Sequence, residues 1–317
     1  MSALTVTPEG ASREQGTKSP GRDNRRWLGT DRRHNLTGWA FLLPAALLIF
    51  AVSFIPMIQA FILSLQTGRG TRLDWADPLW YNYQRMLGDE IFKQTVGTTF
   101  LYLIIQVPIM LLMALLLANV LNNPRLRFKA FWRTAIFLPA AVSLVAYSLV
   151  FRTMFANDGF VNDFLANFGV DPVNWLGEPN TARAVLILGL LWRWTGFNMI
   201  FFLAGLQNID RSTIEAARMD GANSFQVFWR VTVPQLRPII LLTAIMSTNG
   251  TLQLFDESWA LTRGGPAYAS MSMSHYLYEV SFQRNPNFGY GAALAYVILI
   301  FVAILAFIQI KVGDKRD

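Results

Sequence analysis

The chain has 317 residues, of which 53% are hydrophobic and 15% are charged, and its formal net charge is +7. So much apolar sequence with so little charge is unusual for a soluble domain, so we expect most of the chain to lie in a bilayer. The sequence contains no cysteine, which excludes disulfides and thiolate metal sites. Its two histidines are far apart, and we predict no metal site.

Six apolar stretches follow a polar N-terminal tail. Residues 1–34 are rich in Ser, Gly, Pro, Arg and Asp, a composition that predicts a disordered, basic cytoplasmic tail. Residues 35–317 form one predicted membrane domain, because each of the six stretches is long enough to cross a hydrocarbon core. The expected fold is all-α, a polytopic membrane protein with six transmembrane helices. The six predicted spans cover about residues 36–65, 96–121, 130–151, 182–206, 236–255 and 291–310.

Lysine and arginine are distributed unevenly between the two sets of loops. With the N-terminus in the cytoplasm, the cytoplasmic segments hold 18 basic residues and the outer loops hold 8. Cytoplasmic loops of membrane proteins are enriched in Lys and Arg. We therefore predict a bacterial inner-membrane protein with both termini in the cytoplasm. The positive charge indicates contact with the lipid bilayer and no interaction with nucleic acid.

The cytoplasmic segment between spans four and five has the pattern of two short helices. Ser212 and Glu215 match the capping box Ser-x-x-Glu, which predicts the start of the first helix. Gly221 is predicted to end that helix in a left-handed conformation. Ser224 is the predicted cap of a second helix, which Pro234 closes. By its residues alone, this segment could also be a capped amphipathic helix on the membrane surface.

A family resemblance becomes specific in this segment, which covers about residues 209–238. Its Glu-Ala-Ala-x-x-Asp-Gly-Ala run, followed by Phe and then Val-Pro, resembles the EAA loop of ABC-importer permeases. From about residue 36 onward the chain is similar to the carbohydrate branch of that family, with its maltose-type and glycerol-3-phosphate-type subunits. In that family the EAA loop docks into a cleft on a separate ATPase subunit. The resemblance assigns this coupling role to Glu215, Ala216, Ala217, Arg218, Asp220, Gly221 and Phe228.

The resemblance also implies a fold, a function and partners. The fold is that of ABC type I importer permeases, and the function is translocation of a sugar or sugar derivative delivered by an extracytoplasmic binding protein. The implied partners are this binding protein, an ATPase dimer and a second, distinct permease. The chain has no Gly-x-x-x-x-Gly-Lys-Ser/Thr motif. We therefore expect a transport subunit that is not itself an enzyme and holds no cofactor, with ATP and Mg bound by the partner ATPase.

Span five is the most polar of the six and is the predicted substrate pathway. Hydroxyl and amide groups in hydrocarbon are costly unless they face protein or a water-filled cavity. Hydrogen bonding between helices would satisfy them, and so would a sugar, which needs many hydrogen-bonding partners and flat rings. Resemblance to the maltose-type subunit assigns pathway roles to several positions in spans four and five, and we add one amide and one charge in these spans. The predicted pathway residues are Gly196, Met199, Ser247, Asn249, Gly250, Thr251, Leu254 and Arg193.

Arg193 lies roughly in the middle of predicted span four. A charged residue at such a depth is a candidate functional group. It could bind an anionic substituent of a sugar or pair with Asp256 or Glu257. Alternatively, the side chain snorkels to the outer interface, because Trp192 and Trp194 beside it resemble an interfacial belt.

Two other classes of function agree less well with the sequence. A secondary transporter usually carries acidic residues in mid-span and shows internal symmetry, but spans one, two, three and six contain no acidic residue. An intramembrane protease needs a Ser–His or Asp–Asp pair within its spans, and neither His34 nor His275 lies in a predicted span. Neither class explains the EAA-like segment.

Overall fold

The computed structural model describes residues 27–70, 72–283 and 285–313. These residues form two compact units, one up to Ile58 and one from Gln59 onward. Most of the predicted tail lies outside the described residues, and its last part, from Trp27, belongs to the first helix. The described elements are α1 Trp27–Ile49, α2 Ile55–Ser64, β1 Gln66–Arg69, β2 Arg72–Trp75, α3 Tyr81–Gly88, α4 Glu90–Asn122, α5 Lys129–Ala141, α6 Leu144–Met154, α7 Phe160–Ala166, α8 Pro179–Gln207, α9 Arg211–Met219, α10 Ser224–Val227, α11 Val233–Gln235, α12 Arg237–Leu252, α13 Met273–Phe282 and α14 Phe288–Gly313.

The described helices account for the membrane spans that the hydropathy pattern predicts. Four helices are long and apolar enough to cross a bilayer, and up to six spans result if each of two bent helix pairs counts as one. The bent pairs are α5 with α6, at 95°, and Ser224–Gln235 with α12, at 70°. The four single spans are Thr37–Ser64, Glu90–Asn122, Pro179–Gln207 and Phe288–Gly313.

The first span contains a widened turn. Between α1 and α2 the chain forms a π-helical segment, Phe50–Phe54. Pro56 lies two residues after this segment, and its ring has no N–H for the carbonyl of Val52, against which it would clash in a regular α-helix. The wider turn therefore keeps the span continuous past a residue that would otherwise break it.

The predicted span at residues 130–151 is a bent helix pair. The chain turns by 95° between α5 and α6. Pro139 lies in the last turn of α5, and Val142 after it adopts an extended conformation with φ −69° and ψ 139°. Ser143 then starts α6 by accepting a hydrogen bond from the Ala146 N–H at 3.3 Å. The residues that end α5 and the residue that caps α6 therefore lie next to each other inside one apolar run.

The core of the larger unit forms where α8 packs along α4 and α5, while α12 packs against α4, α8 and α14. Small residues allow these helices to approach closely. A Cβ atom added to Gly196 in α8 would lie 1.9 Å from the carbonyl oxygen of Ile136 in α5. One added to Gly205 would lie 2.2 Å from Ile239 Cδ1 in α12. The core of this bundle therefore depends on glycine at its helix contacts.

A carboxylate joins three helices at the start of α4. Asp89 Oδ1 accepts hydrogen bonds from the N–H groups of Ile91 and Phe92, at 3.0 and 3.2 Å, and so caps α4. Asp89 Oδ2 accepts hydrogen bonds from the hydroxyls of Tyr276 in α13 and Tyr290 in α14, the latter at 2.7 Å. Burial raises the pKa of Asp89, but these hydrogen bonds outweigh it, so the pKa lies below its usual value.

Candidate functional site

A cavity of about 310 Å³ lies beside α4, α8 and α12 and the chain just after α12. Its wall combines aromatic rings with amides, hydroxyls and carboxylates. Such a mixture can both stack on a flat ring and exchange hydrogen bonds with hydroxyl groups. The aromatic and polar lining residues are Gln106, Trp194, Phe197, Asn198, Phe201, Ser247, Thr251, Gln253, Phe255, Asp256 and Glu257.

Four predicted pathway residues line this cavity together: Ser247, Gly250, Thr251 and Leu254. Their spacing of three, four and seven positions places them on one face of a helix. Ser247, Gly250 and Thr251 belong to α12, and Leu254 lies two residues after the end of this helix. One helical face therefore supplies one wall of the cavity.

The other four predicted pathway residues do not line it. Gly196 lies against the α5 backbone, and Met199 is fully buried in the core between α4 and α8. Asn249 is exposed, and its Oδ1 accepts a hydrogen bond from Gln253 Nε2 at 2.6 Å. Arg193 lies behind the cavity wall, beside Glu257.

Hydrogen bonds between helices hold the polar wall in position. Thr251 Oγ1 donates to Gln106 Oε1 at 3.1 Å, and Ser247 Oγ donates to Asn198 Oδ1 at 3.3 Å. The two interpretations of polar span five, hydrogen bonding between helices and hydrogen bonding to a sugar, are thus compatible. The same groups link helices and border the cavity. The sequence prediction missed Gln106 and Asn198. The signal for both was an amide inside an apolar span.

Arg193 forms a cluster with Tyr147, Trp194 and Glu257, which we call the Arg193 cluster. Its side chain is 14% exposed, and its Nε lies 3.9 Å from Glu257 Oε1. The guanidinium lies over the Tyr147 ring at 5.3 Å and the Trp194 ring at 5.6 Å. Glu257 Oε1 also accepts a hydrogen bond from Trp194 Nε1 at 3.0 Å. Of the three predicted possibilities for Arg193, the structure therefore places it in an ion pair with Glu257.

The first helix of the segment 209–238, α9, begins one residue before Ser212. Asp210 is its cap, and Asp210 Oδ1 accepts a hydrogen bond from the Ser212 N–H at 3.0 Å. This bond lowers the pKa of Asp210. The predicted capping box of Ser212 with Glu215 is therefore wrong, because the carboxylate two positions earlier takes the capping role.

The predicted end of α9 at Gly221 is confirmed. Gly221 has φ +84°. Its N–H donates to the Arg218 carbonyl, and the Ala222 N–H donates to the Ala217 carbonyl, both at 3.0 Å. These two bonds form a Schellman motif, in which a left-handed residue closes the helix. The turn that follows α9 is thus set by backbone hydrogen bonds.

The second helix differs from its prediction at both ends. Its cap is Asn223, not Ser224, because Asn223 and Gln226 exchange reciprocal hydrogen bonds of 2.9 Å. Pro234 does not close the helix either. It lies in α11, just after a π-helical segment whose wider turn accommodates a residue without an N–H. The helical path runs from α10 through a π-helical segment, Phe228–Thr232, into α11 and bends at Leu236.

The predicted coupling residues have different environments. Glu215, Ala216, Arg218, Asp220 and Gly221 are exposed, and Ala217 is half-buried. Glu215 and Arg218 line an open cleft of about 670 Å³.

Phe228, by contrast, is buried in the core formed with α4 and α8. It anchors the segment instead of presenting a surface. Met219 and Phe225, which the prediction did not single out, are 88% and 72% exposed. Exposed apolar side chains beside an exposed helix are typical of a docking surface.

Comparisons with known proteins identify the family. Residues 95–312 match the family described as "Binding-protein-dependent transport system inner membrane component". The chain belongs to this family. It is therefore a multi-pass inner-membrane permease component of a binding-protein-dependent transport system, and it has the ABC type I importer permease fold.

Curated relatives and a solved structure agree with this membership. The chain is 45% identical to the lactose transport system permease protein LacF of Rhizobium radiobacter, covering 90% of this chain and 96% of LacF. It is 32% identical to the arabinooligosaccharides transport system permease protein AraP of Halalkalibacterium halodurans, covering 87% and 89%. Its fold resembles a chain of a bacterial ABC transporter that imports alginate, with TM-score 0.78 and 21% identity, covering 91% and 99%.

Proposed function

We propose that this chain conducts a sugar across the inner membrane. The observation that carries the proposal is the cavity beside α12, where four aromatic rings, amides and hydroxyls surround about 310 Å³. This volume and chemistry suit a saccharide, whose ring faces stack on aromatic side chains while its hydroxyls exchange hydrogen bonds. Relatives named for the transport of lactose and arabinooligosaccharides support the substrate class.

Energy enters this transporter through the segment 209–238. The chain carries no phosphate-binding loop, so a partner ATPase dimer binds ATP and Mg, and this chain holds neither. Exposed Glu215, Arg218 and Asp220, with apolar Met219 and Phe225, form the contact with that partner. Gly221 sets the direction of the turn between α9 and α10.

The remaining partners follow from the same assignment. A second, distinct permease completes the translocation path, and an extracytoplasmic binding protein delivers the sugar. Both termini of this chain lie in the cytoplasm, as does the segment 209–238. The excess of basic residues on that side supports this orientation.

Thr251→Val tests the sugar pathway, because it removes a cavity hydroxyl and nearly preserves shape. Losing one hydrogen bond to the substrate should lower uptake of radiolabelled sugar by ~3- to 10-fold in proteoliposomes that contain the complete importer. The probes are lactose and arabinotriose. Thr153→Val is the matched control, because Thr153 is exposed and bonds only locally, to the Leu149 carbonyl. Unchanged uptake by a fully assembled Thr251→Val importer would place the pathway elsewhere.

A further inference from the structure

Arg193 does not line the cavity and is paired with Glu257 beside it. Its Nε and Nη1 atoms are sealed from solvent and donate no hydrogen bond. The side chain is held between the Tyr147 and Trp194 rings and faces Glu257. A carboxylate or sulfonate on a substrate could not reach these two nitrogens without displacing the aromatic rings. The positive charge therefore pairs with Glu257.

The charge that does border the cavity is negative. Asp256 and Glu257 both belong to its wall, and none of its described lining residues is basic. Glu257 is buried and holds its position through the Trp194 indole N–H. Asp256 is exposed at the same wall. Carboxylates accept hydrogen bonds from hydroxyl groups strongly, whereas a second anion next to them is repelled.

We propose that the Arg193 cluster makes this permease selective for uncharged saccharides over acidic ones. This inference rests on the proposed function, since it names the substrate class of the same cavity. Glu257 presents its carboxylate to sugar hydroxyls, and Arg193, paired with it at 3.9 Å, holds that carboxylate in place. Selection thus comes from the two carboxylates at the wall, while their basic neighbour Arg193 is not part of the cavity lining.

The test measures direct binding to the assembled importer in nanodiscs by ligand-observed NMR, without the binding protein. Omitting the binding protein removes its own selectivity from the measurement. The neutral probes are lactose and cellobiose, and the acidic probes are digalacturonate and cellobiouronate. In the unmodified importer, the acidic probes should bind at least ~10-fold more weakly than the neutral ones, because like charges repel at short range.

Glu257→Gln removes the wall charge at nearly constant shape and leaves Arg193 unbalanced. Affinity for the acidic probes should then rise by ~10-fold or more, while affinity for the neutral probes falls. Asp163→Asn is the charge-matched control on the exposed part of α7, and it should leave all four affinities unchanged.

Two outcomes overturn the selectivity. One is acidic probes that bind the unmodified importer as well as neutral ones. The other is a Glu257→Gln importer that still binds lactose but gains no affinity for acidic sugars. If Glu257→Gln does not assemble, the comparison in the unmodified importer decides alone. Failure of the proposed function is a different result: no saccharide binds, and none is taken up in the proteoliposome assay.

Discussion

Gly221 adopts φ +84°, a backbone region where an L-residue with a Cβ atom is strained by about 1 kcal/mol or more. Space is not the constraint, because an added Cβ would meet nothing within 4 Å. The strain of Gly221→Ala therefore acts only on the turn between α9 and α10. If this turn orients the ATPase contact, a penalty of ~1 kcal/mol lowers the docking-competent population by about 5-fold.

Sugar-stimulated ATPase activity and sugar uptake should consequently fall together in Gly221→Ala, by ~2- to 5-fold. Both are measured in proteoliposomes with the complete importer. Gly97→Ala is the matched control, because Gly97 lies inside α4 at an ordinary φ and also has free space around it. Full activity in Gly221→Ala would show that the turn does not control coupling.

Asp89 gives a prediction of pH dependence. Its pKa lies below the usual value near 4 despite burial, because two tyrosine hydroxyls and two backbone N–H groups stabilise the carboxylate. The contribution of this carboxylate to the free energy of unfolding is therefore complete at neutral pH, and it is lost as the pH falls through the lowered, folded-state pKa. Asp89→Asn retains a capping oxygen but not the charge.

We expect Asp89→Asn to reduce the free energy of unfolding by ~1 kcal/mol at pH 7 in detergent. The difference from the unmodified protein should begin to shrink below about pH 4, where Asp89 of the unfolded chain takes up a proton, and should vanish once the pH falls through the lowered, folded-state pKa. Thermal unfolding at pH 7 and pH 3.5 measures both effects. Glu90→Gln, which loses only an exposed pair with Lys93, should behave like the unmodified protein. A constant difference at both pH values would contradict the role of the charge.

The contact between α5 and α8 depends on Gly196. The Cβ of Gly196→Ala would lie 1.9 Å from the Ile136 carbonyl oxygen, so the two helices would have to separate. Such overpacking typically destabilises by ~1–3 kcal/mol. The melting temperature should fall in Gly196→Ala but not in Gly250→Ala, because Gly250 has free space around it. A normal melting temperature combined with reduced uptake would instead support the pathway role that the sequence predicted for Gly196.

The spans themselves could be predicted because a bilayer imposes one strong requirement, a long apolar run. Hydropathy contains no information about direction, so it could not reveal the 95° turn at Val142, which lies within one apolar run. Cap positions failed for another reason: two adjacent polar residues compete for the same backbone N–H groups. Asp210 took this role from Ser212, and Asn223 took it from Ser224.

In the candidate site, too, some features could be predicted from the sequence and others could not. Ser247, Gly250, Thr251 and Leu254 could be assigned because the chain resembles the maltose-type subunit there, and spacing alone places the first three on one helical face. For Arg193, by contrast, the sequence left three possibilities open, and an ion pair with Asp256 or Glu257 was only one of them. Its selection depends on how α8 packs against the chain after α12, which no spacing within a single element encodes.

At the scale of the whole molecule, the testable property is topology. The sequence has no cysteine, so single cysteines report without background. Asn167→Cys, just after α7, should react in intact cells with a thiol reagent that does not cross the inner membrane. Ser212→Cys, in α9, should react only after permeabilisation. Both positions are exposed. Labelling of both from the same side would contradict the predicted orientation.

The bend at Leu236 has a mechanical consequence. The segment Ser224–Gln235 and α12 meet there at 70°, and the Leu236 side chain is 1% exposed, so the joint is fixed within the core. Because α12 has 16 residues, it is ~24 Å long at the rise of an α-helix. A rotation of only ~10° about the joint would move its far end by ~4 Å. Thr251 lies at that end, and a displacement of ~1 Å is enough to break a hydrogen bond. A small tilt of the segment Ser224–Gln235 is therefore enough to break a hydrogen bond that Thr251 makes at the far end of α12.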